Sequence, residues 1–175
     1  TGKTTTIINL INDYQKKHYT IDKSLVIHLN ASDERGIDII RNQINTFVKS
    51  NHLFNKGMKF VILDEVDYMT KNAQQALKYL LQSCNDNVKF CLICNYISKV
   101  DESLRNEFLT IRFNQLPPND IFNFVKNISM SENLNLSDEI IQSIQNIYGS
   151  DIRSIINFIQ LNQNMDFENW KNNVI

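Results

Sequence analysis

The sequence predicts an α/β domain followed by a small all-helical part. Short apolar runs rich in β-branched residues alternate with segments in which apolar residues recur at helical spacing. The runs are apolar on both faces, as in strands of a parallel sheet that helices cover on each side. After Pro117 and Pro118 only helical periodicity remains. We therefore predict an α/β core over residues 1–115 and a helical domain over residues 116–175.

The elements follow in a regular order. In the core we expect a helix in 1–17, a strand in 24–30, a helix in 36–50, a strand in 56–65, a helix in 71–84, a strand in 88–95, a short charged helix and a last strand in 110–113. Helices in 119–132, 137–149 and 150–163 should form the second part. Ser137 and Ser150 are the expected N-caps of its last two helices.

Composition narrows the class of protein. The 175 residues carry 18 basic and 19 acidic side chains, so a nucleic-acid contact would need a local basic patch. The cysteines, Cys84, Cys91 and Cys94, are few and odd in number, which favours a reducing compartment. Cys91 and Cys94 should point to opposite faces of a strand, so we do not expect them to bind one metal. We expect no membrane span and no signal peptide.

A phosphate-binding motif opens the chain. Gly2, Lys3 and Thr4, followed by Thr5, match the end of the pattern G-x-x-x-x-G-K-[ST], in which backbone N–H groups and the Lys bind phosphates and the hydroxyl ligates Mg²⁺. The first Gly of the pattern and the strand before it are absent, and the chain starts without Met. We therefore expect a portion of a longer protein. By itself a G-K-T tripeptide is weak evidence for a phosphate site, because such tripeptides occur often by chance. An ordinary helix N-terminus remains the alternative.

A second motif supports the first. The run FVILDEVD is an apolar strand that ends in Asp64 and Glu65. A phosphate-binding ATPase needs one carboxylate there near Mg²⁺, and the next carboxylate can activate the attacking water. The two motifs in this order predict an ATP site with Mg²⁺ held by Thr4 and Asp64.

Two more polar residues are candidates for this site. Asn95 ends the strand CLICN and is placed to hold the water or the terminal phosphate, whereas Arg153 starts the last helix and is placed to close onto that phosphate. A turn asparagine and a surface arginine remain the ordinary alternatives.

Several longer stretches resemble one family. LNASDERGIDIIRNQI, KGMKFVILDEVDYMTKNAQQAL, FCLICNYISK and YGSDIRSIIN are similar to segments of the small subunits of replication factor C, the AAA+ sliding-clamp loader. The resemblance covers essentially the whole chain and is densest from Leu29 to Asn95.

The resemblance implies an AAA+ P-loop NTPase core with a helical lid, and ATP bound between them beside a neighbouring subunit. It also implies a hetero-pentamer that opens a PCNA-like sliding clamp and places it on primer–template DNA. Such a complex would act in a eukaryotic nucleus, at a viral replication site or in an archaeal cytoplasm. The family's C-terminal collar is not in this chain. The implied roles are phosphate and Mg²⁺ binding for Lys3, Thr4 and Asp64, catalytic base for Glu65, sensor 1 for Asn95, sensor 2 for Arg153, and restraint of the base until DNA arrives for Asn30.

A DNA contact also fits the stretch RGIDIIR, because a helix N-terminus with nearby cations suits a phosphate. Arg35 and Arg41 are the candidates there, with Lys71 at the start of the next helix. Solvated surface cations are the alternative for all three.

The stretch ESLRNEF departs from the family pattern. The family reads S-R-C at the positions of Asn106, Glu107 and Phe108, and its Arg reaches the phosphate held by the next subunit. Glu107 would instead repel that phosphate. Arg105 lies two residues earlier, a rotation of about 200° along a helix. We therefore expect that this chain supplies no arginine finger to its neighbour.

Two other functions remain open. The chain could be a scaffold subunit of the same complex that binds nucleotide with little turnover, or another AAA+ ATPase that processes DNA. Intact Lys3, Asp64 and Glu65 argue against the first, and the stretch NASDERGID argues against the second.

Overall fold

The computed structural model describes residues 2–19, 21–32, 38–50, 57–84, 86–134 and 136–163, with the side chains of residues 39–41 excluded. The chain divides into two compact units, one over Gly2–Ile111 and one that begins at Arg112. Because residues 33–37 and the side chains of 39–41 are not described, the predicted DNA-binding residue Arg35 and the side chain of Arg41 lie outside the described part of the chain. None of the helices in the described ranges is long and apolar enough to cross a bilayer.

The first unit alternates helices and strands, as the sequence predicts. Its elements are α1 (Lys3–His18), β1 (Val26–Asn30), a π-helical segment (Ile39–Ile44) continued by α2 (Asn45–Lys49), β2 (Lys59–Asp64), α3 (Lys71–Ser83), β3 (Val88–Leu92) and α4 (Glu102–Arg105). Short 3-10 turns lie at Lys23–Leu25, Val66–Tyr68 and Ile97–Lys99. The second unit holds α5 (Pro118–Ser131), α6 (Asp138–Tyr148) and α7 (Ile152–Leu161).

The three described strands form one parallel sheet in the order β1-β2-β3. Helices cover both faces: Ile62 packs with Ile11 of α1, whereas Leu63 packs with Leu77 of α3 and with Ile44 of the π-helical segment. The first five residues of β2 are buried, as expected for a central parallel strand. The carboxyl ends of all three strands therefore meet at one edge of the sheet.

A buried lysine anchors α2 to the sheet. Lys59 begins β2 and is 8% exposed, and its Nζ donates to Phe47 O at 2.7 Å and to Ser50 Oγ at 3.0 Å, and also to Ser50 O. The last carbonyls of a helix lack partners within it, so a cation placed there stabilises the helix end. Lys59 thus fixes the C-terminal end of α2 against the start of β2.

The second unit has a core of its own. Its buried apolar side chains come from all three helices: Ile121, Val125, Ile140, Ile141, Ile144, Ile155 and Ile159. The predicted N-cap Ser137 is confirmed, because its side chain accepts the N–H of Ile140. The prediction for Ser150 was wrong: Asp151 caps α7 and accepts from the N–H and Oγ of Ser154. These hydrogen bonds lower the pKa of Asp151, since they favour its charged form.

The expected last strand, in residues 110–113, was wrong. The chain from 109 to 117 forms neither helix nor strand, and Leu109 and Ile111 are 90% and 70% exposed. Alternating apolar residues become a strand only when a neighbouring backbone accepts and donates their hydrogen bonds. Among the described residues no strand pairs with this segment.

Candidate functional site

The first turn of α1 follows Gly2, an exposed N-cap residue that has no side chain to cap the helix. Gly2 adopts a left-handed conformation with φ 82°, which favours glycine, and none of the described atoms would lie within 4 Å of a Cβ there. The N–H groups of a first helical turn carry partial positive charge and have no acceptor within the helix. The turn can therefore bind an anion such as a phosphate.

Two hydrogen bonds tie this turn to the carboxyl end of the sheet. Thr4 Oγ1 donates to Asp64 Oδ2 at 2.7 Å, and Lys3 Nζ donates to Asn95 Oδ1 at 2.7 Å. Asp64 ends β2, and Asn95 follows β3 by three residues. The structure thus brings together four of the residues that the sequence predicts for the site. Thr5 follows them in α1 with an exposed side chain.

Glu65 stands at the site in a strained backbone conformation. Its φ of 56° and ψ of 38° lie in the left-handed region, which is uncommon for a residue with a side chain. The N–H of Glu65 donates to Asp64 Oδ1 at 2.9 Å, which ties the turn to the carboxylate before it. Strain of this kind persists where the surrounding structure enforces it, and it clusters at functional sites.

The register of β1 and β2 brings further polar groups to Asp64. Asn30 is paired with Asp64, and His28, two residues earlier on the same face, has its Nε2 3.9 Å from Asp64 Oδ2. Asn30 Oδ1 accepts from the N–H of Ser32 at 3.0 Å and from its Oγ at 2.8 Å. These bonds hold the side chain of Asn30 toward Ser32. The regulatory role of Asn30 stays a prediction.

Sequence reasoning did not include two neighbours of the site. The nearness of His28 to Asp64 depends on the strand register, which the sequence does not show. Asp67 is buried, and its Oδ1 accepts the backbone N–H of Asn95 at 3.3 Å. The signal for Asp67 was available, because it is the last carboxylate of the run DEVD.

Cys91 and Cys94 pack on opposite faces of the sheet, as the strand pattern predicts. Burial raises the pKa of the Cys94 thiol, and the negative charge of Asp67 raises it further, whereas Lys3 opposes both. Burial also raises the pKa of Cys91. Both thiols therefore stay protonated at neutral pH, which makes them poor nucleophiles.

The other predicted residues lie elsewhere. Lys71 is exposed as the first residue of α3, and Arg153 is exposed in the first turn of α7 in the helical unit. Glu107 is exposed in the turn that follows α4. Arg105, the last residue of α4, is half-buried, and its Nε has no hydrogen-bond partner within the described part of the chain.

Comparison with known proteins gives closely related sequences. The chain is 38% identical to replication factor C subunit 5 of Mus musculus over 95% of this chain and 48% of that protein. It is 38% identical to replication factor C subunit 3 of Saccharomyces cerevisiae, over 91% of this chain and 46% of that protein. It is 37% identical to the replication factor C small subunit of Sulfolobus acidocaldarius, over 91% of this chain and 48% of that protein. The chain thus spans about half the length of these relatives, and the expected resemblance is confirmed.

Among solved structures, a DNA polymerase III gamma subunit-related protein from Thermotoga maritima aligns with 86% of this chain and 51% of that one, at 15% identity and a TM-score of 0.49. This likeness is too weak to support a function. The family model for the ATPase family associated with various cellular activities (AAA) matches residues 1–116, most of the chain. The chain therefore belongs to the AAA family of ATPases, which implies that it binds a nucleotide.

Proposed function

We propose that the chain is the ATP-hydrolysing part of a clamp-loader subunit, which helps to open a sliding clamp and place it on primer–template DNA. The observation that supports this most directly is the pair of hydrogen bonds that join Lys3 to Asn95 and Thr4 to Asp64. They hold the first turn of α1 beside a carboxylate and an amide, which are the groups that phosphoryl transfer needs near the phosphates, and this supports the proposal. The similarity to replication factor C subunits supports the clamp-loader assignment.

The residues present fit Mg²⁺ with ATP. Thr4 Oγ1 and Asp64 Oδ2 are hard oxygen donors 2.7 Å apart, of the kind that Mg²⁺ prefers, and phosphate oxygens would supply further ligands. When bound, Mg²⁺ would neutralise charge on the phosphates. Lys3, released from Asn95, would bind the terminal phosphates, and the free N–H groups of α1 would bind the others.

The remaining polar residues have roles in hydrolysis. Glu65 would accept the proton of the attacking water, and the amide of Asn95 would orient that water or the terminal phosphate. Arg153, in the helical unit, would stabilise charge on the terminal phosphate, as the resemblance implies. Arg35, Arg41 and Lys71 would bind the phosphates of a duplex without reading its sequence.

The direct test is ATP turnover by the full-length protein in its assembled complex. Glu65→Gln should lower turnover at this site about 100-fold or more while ATP still binds, because the proton acceptor is lost and the binding groups are kept. Unchanged turnover would instead support a scaffold role.

A second measurement tests the partners. The full-length protein in its complex should bind a sliding clamp and load it on primer–template DNA in an ATP-dependent way. Failure to bind any clamp, with ATPase activity intact, would contradict the clamp-loader assignment and favour another DNA-processing AAA ATPase.

A further inference from the structure

One carboxylate beside the candidate nucleotide site, that of Asp67, has no role in the proposed binding and hydrolysis of ATP. Asp67 lies in the turn Val66–Tyr68, and only 5% of its surface is exposed. Its Oδ1 accepts the N–H of Asn95 at 3.3 Å, whereas its Oδ2 is buried without a hydrogen-bond partner among the described residues. A buried carboxylate that is only partly satisfied weakens a fold, so packing alone does not explain Asp67.

The contact matters because Asn95 lies beyond the regular sheet. The β2–β3 ladder continues to Ile93, whose N–H donates to Leu63 O at 2.8 Å, and Ile93 O accepts the N–H of Val66 at 3.1 Å. Asn95 is two residues farther along and exposed, and the acceptor for its N–H is the carboxylate of Asp67. The backbone of Asn95, which sets where its side chain starts, is therefore held by a side chain from the turn that follows β2.

A line of contacts runs from Asp67 to the phosphate-binding turn. Asp67 holds the backbone of Asn95, and the side chain of Asn95 accepts from Lys3 Nζ at 2.7 Å. We propose that Asp67 is a positioning residue, which acts on ATP hydrolysis by holding Asn95 in place. The effect of Asp67 on ATP turnover rests on the proposed function as an ATPase.

The chemistry of the contact selects informative variants. The interaction needs an oxygen acceptor rather than a negative charge, and Asn retains a carbonyl oxygen of the same shape. Asp67→Asn should therefore keep most of the activity, whereas Asp67→Ala should lose it. Asp86→Ala, at an exposed carboxylate before β3, is the matched control and should behave as wild type.

Kinetics in the assembled full-length complex test whether Asp67 acts through Asn95. Asp67→Ala should lower kcat about tenfold or more, because misplaced catalytic groups lose rate, and should change KM for ATP little. Asp67→Ala combined with Asn95→Ala should be no slower than Asn95→Ala alone, within about twofold. Multiplicative losses, or an inactive Asp67→Asn, would overturn the proposal.

Hydrogen exchange gives a readout that does not depend on turnover. In Asp67→Ala the amide of Asn95 should exchange faster, while the amide of Ile93 should keep its protection because its acceptor is in β2. Faster exchange at both would indicate general loosening, and no change at Asn95 would mean that Asp67 does not hold it. Either result overturns the proposal. A wild-type complex without ATPase activity would count against the proposed function. The hydrogen-exchange measurement would still decide whether Asp67 holds Asn95.

Discussion

Glu65 shows at the scale of a single residue how the site differs from the core around it. Its left-handed backbone is strained, and a glycine would relieve that strain at the cost of the carboxylate. Left-handed geometry costs roughly 1–2 kcal/mol for a residue with a side chain. A glycine removes this cost, but it destabilises the fold by about 0.5–1 kcal/mol because it makes the unfolded chain more flexible. The strain term is therefore the larger of the two.

We predict that Glu65→Gly raises the stability of the protein and abolishes ATP turnover. The net gain should be about 1 kcal/mol, which corresponds to a rise in Tm of roughly 3 °C for a chain of this size. Glu65→Gln is the matched control, since it removes the carboxylate and keeps the strain. Thermal unfolding of both variants checks this, and equal Tm values for the two would contradict it.

At the scale of elements, Lys59 decides how α2 meets the sheet. Lys59→Met keeps the apolar stem and removes the ammonium, which takes this donor away from Ser50 O and leaves Phe47 O with the hydrogen bond from Ser50 Oγ alone among the described residues. Hydrogen bonds from a charged donor are strong, so we expect a loss of about 2 kcal/mol in the free energy of unfolding. Lys89→Met, at an exposed position of β3, is the control and should change stability little. Denaturant unfolding of both variants measures the difference.

The same lysine makes stability depend on alkaline pH. Burial lowers the pKa of Lys59 below its ordinary value of 10.5. Between the lowered pKa and 10.5, the unfolded chain binds more protons than the folded one, so the contribution of Lys59 to stability rises with pH across that window. Below the window this dependence vanishes, and Lys59→Met should lack the rise. A wild type and a Lys59→Met variant with parallel pH profiles would contradict this assignment.

At the scale of the whole molecule, the exposed turn after α4 is where an arginine finger for the neighbouring subunit of the proposed complex would lie. Glu107 is exposed there, and a carboxylate cannot stabilise the negative charge of a phosphate. In the proposed complex, Glu107→Arg should therefore raise ATP turnover at the adjacent subunit by about tenfold or more. Arg105→Ala should leave that turnover unchanged, and a large loss in this variant would show that Arg105 is the finger. Single-turnover ATP hydrolysis, with the other sites disabled, is the measurement.

Much of the site was predictable because its residues are contiguous in sequence. Lys3 and Thr4 share one helical turn, and Asp64 and Glu65 follow one apolar strand, so local periodicity is enough to place each pair. The contact between Asp67 and Asn95 was not predictable in this way, because it depends on how two loops leave neighbouring strands. Ser150 was assigned as a cap from residue type alone, and the backbone selected Asp151, one position later.

The sequence by itself determined the alternation of strands and helices, the phosphate-binding turn and the two carboxylates of β2, since each is written in a short run of residues. Only the tertiary structure decided that Lys3 meets Asn95 across 92 positions, that His28 faces Asp64, and that residues 109–117 form no strand. The physical reason is that these outcomes depend on the order and register of parallel strands. Register is set by hydrogen bonds between segments that are distant in the chain, and no single segment records its partner.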